Sequence, residues 1–409
     1  MLVALPLSAQ QKYLWVLRSS GEMVKYDPAT FAVQQTVKVP PEAVKTPAAI
    51  SVNRIGQILF APPISLPLSD EDAKSVHNIW FWDGHSASTQ NQGVEHKVET
   101  RGSNQEVTES APVVTLSADG THLFWFANES RRLQREGVDL SIITTWRAWQ
   151  TDSKGESRQD LASVNMPECR CQTGSCEESC PVAAVWASAA GLEKFFVMTH
   201  FVTGQTQTEY KSTTLYQESA GKWIPTPMPE PLQRVLDASA DGATIAEAIP
   251  DTGCCGWSNE SDDQTVVIDN GKSRKIFDEL DSYKNPDYDV SFFTSNAAFS
   301  PDLKSIAMTI TATADANHPI QLAEEGQANP EESQRIHKAL AQLPAVEVKT
   351  LDDARKRLAF LPHASVIGWL NEKVLLIIED HLLATYNLAT GVHRKSAIKI
   401  DDPARAFLR

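Results

Sequence analysis

The six cysteines are the residues of this chain with the richest potential chemistry, and they fall in two short segments. The first segment, with the spacing C-x-C-x4-C-x3-C, holds Cys169, Cys171, Cys176 and Cys180, and the second holds the adjacent pair Cys254 and Cys255. An even cysteine count is typical of disulfide-bonded proteins in oxidising compartments. We therefore expect disulfides that brace loops with little hydrophobic core, each contributing about 2–4 kcal/mol.

Two other cysteine chemistries remain open. Four thiolates also form the ligand set of zinc and iron–sulfur sites, although the C-x-C start departs from the usual C-x2-C spacing. A bridge between Cys254 and Cys255, flanked by Gly253 and Gly256, would be strained and therefore easily reduced. We expect no bound cofactor, and zinc or an iron–sulfur cluster is the alternative for the four-cysteine segment.

A second set of candidate residues lies near the adjacent cysteines and just beyond them. The candidate binding residues are Trp257, Glu260, Asp262, Asp263, Asp281, Asp287 and Asp289. The indole could contact a ligand or cover a disulfide. The carboxylates could hold Ca²⁺ through oxygen ligands or be solvated loop charges. We expect no metal site here, with Ca²⁺ at the acidic loops as the alternative.

Charge and motif content narrow the possible functions. The chain has 409 residues and a net charge of -15, so a nucleic-acid partner is not expected, because phosphate binding requires a basic surface. No apolar run approaches the roughly 20 residues that span a bilayer. Nucleophile-elbow, zinc-protease, P-loop and dinucleotide-binding motifs are missing, and no catalytic residues are assigned.

The N-terminus indicates where the protein acts. Residues 1–9 end in Leu7-Ser8-Ala9 after an apolar stretch with a proline, which is typical of the end of a secretory signal peptide. Alternatively, these residues form the first strand of a repeat, because Leu7 precedes Leu14 by the same distance as Leu116 precedes Leu123. The signal-like segment and the cysteines together predict an extracytoplasmic protein, periplasmic or secreted.

A repeated sequence pattern, called the repeated phrase below, predicts the structural elements that position these residues. An apolar run, a serine, a small residue, an Asp-Gly-type turn and a second apolar run occur at 113–126, 235–248 and 298–308. A repeated phrase predicts a repeated structural unit. The Asp-Gly step supplies the positive φ that a tight hairpin needs, so we expect the phrase to join the first and second strands of each unit.

This phrase resembles the WD40-like repeat of TolB-type β-propellers, which carries a Ser-Pro-Asp-Gly turn. The resemblance and the many short β-rich runs imply an all-β fold: a single seven-bladed propeller over residues 10–409 with four-stranded blades. The expected blades are 12–40, 48–100, 111–163, 183–227, 233–280, 290–361 and 363–400. If residues 1–9 are cleaved, the first blade is one strand short, and residues 404–408 could return and complete it, which would remove exposed sheet edges.

Loops from the second to the third strand, and from each blade to the next, share one propeller face. The expected insertions fall on that face, at 62–76, 129–139, 164–182, 250–263 and 311–344. The last one carries a predicted helix that Asn329 caps and Pro330 begins. We expect deletion of residues 330–343 to leave the propeller folded.

The sequence thus predicts a monomeric, extracytoplasmic binding propeller that uses its insert-rich, cysteine-bearing face. Its expected partner is a protein, a peptide or a glycan. The alternative is an extracytoplasmic hydrolase or lyase with acidic residues, with or without a metal, at the mouth of the central channel. Convergence of Asp and His side chains from several blades on that channel would favour the enzyme.

Overall fold

The computed structural model describes residues 12–62, 73–101, 104–110, 112–135, 138–166, 169–171, 182–187, 194–203, 207–219, 222–239, 241–249, 263–283 and 290–409. The structural statements below concern these residues. Residues 1–9, for which a signal remnant or a first strand was predicted, lie outside them.

Strands dominate the described chain. The first fifteen are β1 (Leu14–Leu17), β2 (Glu22–Tyr26), β3 (Val33–Lys38), β4 (Ile50–Val52), β5 (Ile58–Phe60), β6 (Ala73–Trp82), β7 (Ala87–Arg101), β8 (Asn104–Ser110), β9 (Val113–Leu116), β10 (His122–Arg135), β11 (Val138–Asp152), β12 (Gln159–Asn165), β13 (Cys169–Cys171), β14 (Val182–Ala187) and β15 (Lys194–Thr203). The others are β16 (Gln207–Ser219), β17 (Lys222–Pro227), β18 (Arg234–Ala238), β19 (Thr244–Ile249), β20 (Gln264–Asp269), β21 (Lys272–Asp278), β22 (Phe292–Phe299), β23 (Ser305–Ala312), β24 (Ala345–Thr350), β25 (Arg357–Pro362), β26 (Ala364–Asn371), β27 (Val374–Glu379), β28 (Leu382–Asn387), β29 (Val392–Lys399) and β30 (Ala406–Leu408). The α-helices are α1 (Glu279–Tyr283), α2 (His318–Glu324) and α3 (Pro330–Leu340).

The strands form the seven four-stranded antiparallel blades that the sequence predicts. From the innermost strand outward, blade one is β30-β1-β2-β3 and blade two is β4-β5-β6-β7. Blade three is β9-β10-β11-β12, and blades four to seven follow in chain order from β14, β18, β22 and β26. Two further strands, β8 and β13, belong to no blade core and were not predicted.

The two ends of the chain close the ring. Leu14 pairs with Leu408 and Trp15 with Phe407 in an antiparallel ladder, and the backbone N–H of Tyr13 donates to the Arg409 carbonyl at 2.6 Å. This pairing confirms the prediction that the C-terminal residues supply the missing strand of blade one. The closing Phe407 packs in the same apolar cluster as Trp15, Ile58 and Trp82.

The repeated phrase forms the turn between the first and second strands of a blade, as predicted. In blade five, the Ser239 hydroxyl donates to Asp241 Oδ1 at 2.6 Å and accepts from the Thr244 N–H at 2.9 Å. The same pair of bonds recurs at Ser117 in blade three and at Ser300 in blade six. One hydroxyl thus satisfies both the turn carboxylate and the first N–H of the second strand.

Aromatic side chains hold neighbouring blades together. Trp15 of blade one and Trp82 of blade two meet edge to face, with ring centroids 5.6 Å apart. Trp146 of blade three contacts the rings of Phe195 and Tyr216 in blade four, each at 6.2 Å. Such pairs add to the free energy gained from burial alone, so aromatic contacts contribute to the packing of neighbouring blades.

The helical insertion of blade six is part of the core. The Asn329 side chain accepts from the backbone N–H groups of Glu331 and Glu332, and Pro330 begins α3, as predicted. Ile336 and Leu340, however, are buried in the same cluster as the propeller strands β22 and β23. The helix is therefore packed into the core, while the expectation that the propeller stays folded without residues 330–343 stays a prediction.

We predict that Gly120→Ala is more destabilising than Gly391→Ala. Both glycines have positive φ, +73° and +69°, but a Cβ at Gly120 would approach Ile55 Cδ1 to 2.7 Å and the Gln57 amide more closely, whereas Gly391 has no atom within 4 Å. We expect losses of about 2–3 kcal/mol and about 1 kcal/mol respectively. Denaturant unfolding measures both losses of stability. Equal losses would mean that the Gln57 side chain moves away from the new Cβ without an energetic penalty.

We predict that the turn carboxylates contribute to acid sensitivity. The hydroxyls of Ser239 and Ser300 donate to Asp241 and Asp302 and lower the pKa of each carboxyl. The stability they add is present above their unfolded pKa, about 4, and is lost as the pH falls through the lower folded pKa. The double variant Asp241→Asn, Asp302→Asn should therefore have a lower Tm than wild type at pH 7, with the difference shrinking toward about pH 3. A constant difference would contradict this assignment.

Candidate functional site

The top face of the propeller is the face with the loops from second to third strands and the links between blades. Four predicted insertions on this face contain regular structure, and in the insertion at 62–76 it is residues 73–76 of β6. Residues 129–139 lie mostly in the β10–β11 hairpin, 164–182 contains β13, and 311–344 contains α2 and α3. Of 250–263, the structure describes Asp263.

A sheet rises from the top face above blades two and three; we call it the top extension. It consists of residues 73–78 of β6, 91–101 of β7, all of β8, 129–135 of β10, 138–143 of β11 and all of β13. β8 joins the two blades, because Glu109 pairs with His96 of β7 on one side and with Ser130 of β10 on the other. Blades two and three therefore share one ten-stranded sheet.

The strands of the top extension are much longer than a blade requires. β7 and β11 have 15 residues each, whereas the strands of blade seven have 6 to 8. At about 3.3 Å per residue, the seven residues 129–135 of β10 reach roughly 20 Å beyond the blade core. The composition of β8 and of residues 129–135 is polar: Val107 is the one apolar residue of β8, and Leu133 the one in 129–135. Residues 138–143 of β11 are mostly apolar.

The strand register places charges in defined rows of the top extension. Glu99 of β7 lies directly opposite Glu106 of β8, and like charges in opposed positions are unfavourable. Arg131 and Arg132 of β10 are paired with Thr108 and Val107. The register therefore sets two glutamates at opposed positions of β7 and β8, while residues 129–135 of β10 include three arginines.

The structure places two of the six cysteines. Cys169 and Cys171 lie on β13, opposite Ile142 and Leu140 of β11, so they belong to a strand of the top extension and not to a loop. Cys176, Cys180, Cys254 and Cys255 lie outside the described residues. The predicted disulfides and their zinc or iron–sulfur alternative stay predictions.

The acidic candidates lie partly at the top of blade five. Asp263 directly precedes β20, and its carbonyl accepts from the Glu279 N–H at 3.1 Å, while Asp281 lies on α1. Because β20 is the third strand of its blade, Asp263 lies outward of the central channel. Trp257, Glu260, Asp262, Asp287 and Asp289 lie outside the described residues.

Glu279, which the sequence analysis missed, anchors α1 to blade six. Its carboxylate is buried and accepts from the Phe292 N–H at 2.9 Å. Tyr283, at the other end of α1, stacks on Phe292 with ring centroids 3.9 Å apart. Burial raises the Tyr283 pKa to about 12, so its phenol stays protonated at neutral pH. We call this junction between α1 of blade five and blade six the acidic corner. It is held by the buried Glu279 carboxylate and by the stack of Tyr283 on Phe292.

A charge network lies beside this corner on blade six. The buried Glu347 carboxylate pairs with Arg357 Nε at 2.7 Å and with Lys349 Nζ at 3.7 Å. Lys349 also donates to the Ile276 carbonyl of blade five at 2.7 Å. The network therefore ties two blades together at their outer strands.

Two further buried carboxylates in blade five are bonded to backbone. Asp237 Oδ2 accepts from the Phe299 N–H of blade six at 2.8 Å, and Glu247 Oε2 accepts from the Gln233 N–H at 3.1 Å. Burial raises the pKa of both groups. Within the described chain, no group of three or more His, Cys, Asp or Glu residues is arranged to hold a metal ion.

A search for membrane-spanning helices among the described residues finds none with the required length and apolar character.

Comparisons with known proteins assign this chain to no family. No protein family and no curated protein matches this sequence. Solved structures with similar folds include Porphyromonas gingivalis dipeptidyl peptidase 4, at 9% identity over 96% of this chain and 59% of that chain with a TM-score of 0.45. Another is the β-propeller domain of the Trilobed protease from Pyrococcus furiosus, at 12% identity over 93% and 88% of the two chains with a TM-score of 0.41. This chain thus spans about three fifths of the dipeptidyl peptidase, and similarities of this size carry no information on activity.

We predict that Glu347→Gln lowers the free energy of unfolding by about 2 kcal/mol. The substitution leaves Lys349 and Arg357 without their carboxylate, and the loss is smaller than for a fully buried pair because Arg357 is 56% exposed. The control is Asp380→Asn, whose pair with Lys395 at 2.8 Å is exposed on both sides, for which we expect a change within about 0.5 kcal/mol. Similar losses in chemical denaturation would contradict the bridging role of Glu347.

Proposed function

We propose that this chain is an extracytoplasmic binding propeller that docks a protein or peptide partner on its top extension. The top extension is the observation that carries the proposal. The cysteine content and the signal-like N-terminus support the location. The serine–aspartate turns of three blades support a relation to TolB-type WD40-like propellers.

The length of the extension strands argues for a role outside the propeller core. Blades one, five, six and seven are built from strands of 3 to 8 residues, so the additional residues of β7, β10 and β11 are not needed to close the ring. Long ordered segments on a rigid scaffold are commonly functional. Exposed strand edges can also pair with a strand of another chain, which is a recurrent mode of peptide recognition.

The composition of the extension favours a polar partner. Its residues, as defined above, include no Phe, Tyr or Trp, the side chains whose flat apolar rings would stack on a sugar. They do include the opposed Glu99 and Glu106 and the arginine-rich 129–135 segment. A protein or peptide surface with complementary charges would relieve the opposed carboxylates and fix the register of docking.

Site-specific photocrosslinking tests the proposal. A photoreactive amino acid is placed at Leu133 in the top extension or, as the matched control, at Leu303 in a turn on the opposite face. Each variant is expressed in its native compartment and irradiated. We expect a discrete crosslinked protein from position 133 and none from position 303, because the partner contacts the extension.

A charge-reversal variant tests whether the crosslink from position 133 depends on the arginines of the top extension. Arg131→Glu with Arg132→Glu should reduce the crosslink from position 133 at least tenfold without altering the Tm, since charge complementarity governs docking. Crosslinks from position 303 alone would overturn the proposal, as would crosslinks that charge reversal leaves unchanged. Absence of any crosslinked partner together with turnover of a small substrate would favour the hydrolase or lyase alternative.

A further inference from the structure

A groove of about 600 Å³ lies where the first and last blades meet. Blade one supplies the segment from Leu17 to Ser20 together with Tyr26 and Phe31. Blade seven and the link to β30 supply residues 397–401 and Arg405. The groove lies on the top face beside the closure of the ring, between the β1–β2 turn and the link from blade seven to β30, whereas the top extension belongs to blades two and three. Its volume falls within the range of small-molecule sites.

The charged lining of the groove is mainly cationic in a strongly acidic protein. Arg18, Lys399 and Arg405 line it together with a single carboxylate, Asp401. None of the three cations forms an ion pair with a described carboxylate. Lys395, four residues earlier on the same strand as Lys399, pairs with both Glu379 and Asp380. The unpaired cations are therefore a property of the groove and not of the whole strand.

Two of these guanidinium groups are held in place by neutral groups. Arg18 Nη2 donates to the hydroxyl of Tyr26, a buried residue. Arg405 Nη2 donates to the Val44 carbonyl at 3.0 Å, and its Nε is buried without a hydrogen-bond partner. Arginines fixed by neutral acceptors keep their full charge and need little reordering to bind an anion.

Apart from Ser19 and Ser20, the rest of the groove lining is mainly apolar. Leu17, Tyr26 and Ile400 are buried, and Phe31 and Ile398 are half-buried. The lining therefore suits an elongated molecule that has one charged end and an apolar body, because the cations match the head and the apolar side chains match the remainder.

We propose that this groove binds a small organic anion, with a carboxylate or phosphate head and an apolar body. The residues that would contact the head are Arg18, Lys399 and Arg405. The site is independent of the partner surface on the top extension. Because its walls come from the two ends of the chain, an occupied groove also holds blades one and seven together and raises the Tm by mass action.

Isothermal titration calorimetry with ten-carbon probes tests the proposal. Decanoate and decyl phosphate carry the two anionic heads, and decyltrimethylammonium is the cation with the same chain. We expect saturable one-to-one binding of at least one anion, at least tenfold tighter than binding of the cation, with a matching rise in Tm. The tighter of the two anions identifies the head group.

Substitutions locate the binding in the groove. Arg18→Gln and Lys399→Gln should each weaken the binding of the anion about tenfold, as expected for the loss of a charge-assisted contact. Lys395→Gln, outside the groove, should leave it unchanged. Ala397→Glu adds a negative charge at an exposed position of the lining, so it should abolish binding in a folded protein even if Arg18→Gln fails to fold.

Three results would overturn the proposal. They are the absence of saturable anion binding, equal affinity for the cationic probe, and anion binding that both Lys399→Gln and Ala397→Glu leave unchanged. The photocrosslinks from the top extension should be unaffected by all the groove variants, so the two proposals stand or fall separately.

Discussion

Ring closure is the constraint on which the rest of the structure depends. Seven twisted sheets can bury their faces only against each other, so a ring with one incomplete blade would expose a sheet edge and an apolar face. The ladder between β1 and β30 removes that edge, and Phe407 completes the apolar cluster around Trp15 and Trp82. The same ladder brings the ends of the chain together, which creates the cationic groove between blades one and seven.

Antiparallel order inside each blade then separates the two faces. In blades three, five and six the turn between the first and second strands is short and held by a serine hydroxyl and a carboxylate, as at Ser239 and Asp241. Loops between second and third strands leave from the opposite face, where chain can be added without disturbing those turns. This is why the top extension, the helices of blade six and the acidic corner of blade five share one face.

The two proposed binding surfaces differ in kind because they differ in origin. The top extension is added material: its strands continue the blade ladders beyond the blade core, and β8 and residues 129–135 of β10 are mostly polar. The groove arises from the packing of two blades that the core requires, so it has apolar walls, with Arg18 and Lys399 at its rim. A surface of the first kind suits a polar macromolecule, and a cavity of the second kind suits a small amphiphilic anion.

The sequence by itself determined the blades, the Ser-Asp turns, the return of the C-terminal strand and the cap of α3. Each of these features depends on a local pattern of apolar residues and turn-forming residues. Tertiary structure alone decided the rest. β8 has one apolar residue, Val107, and takes its place as a strand because β7 and β10 offer unpaired backbone on both sides. The helix at Ile336 enters the core because β22 and β23 leave an apolar face beside it. Arg18 and Lys399 are distant in sequence, and only ring closure makes them neighbours.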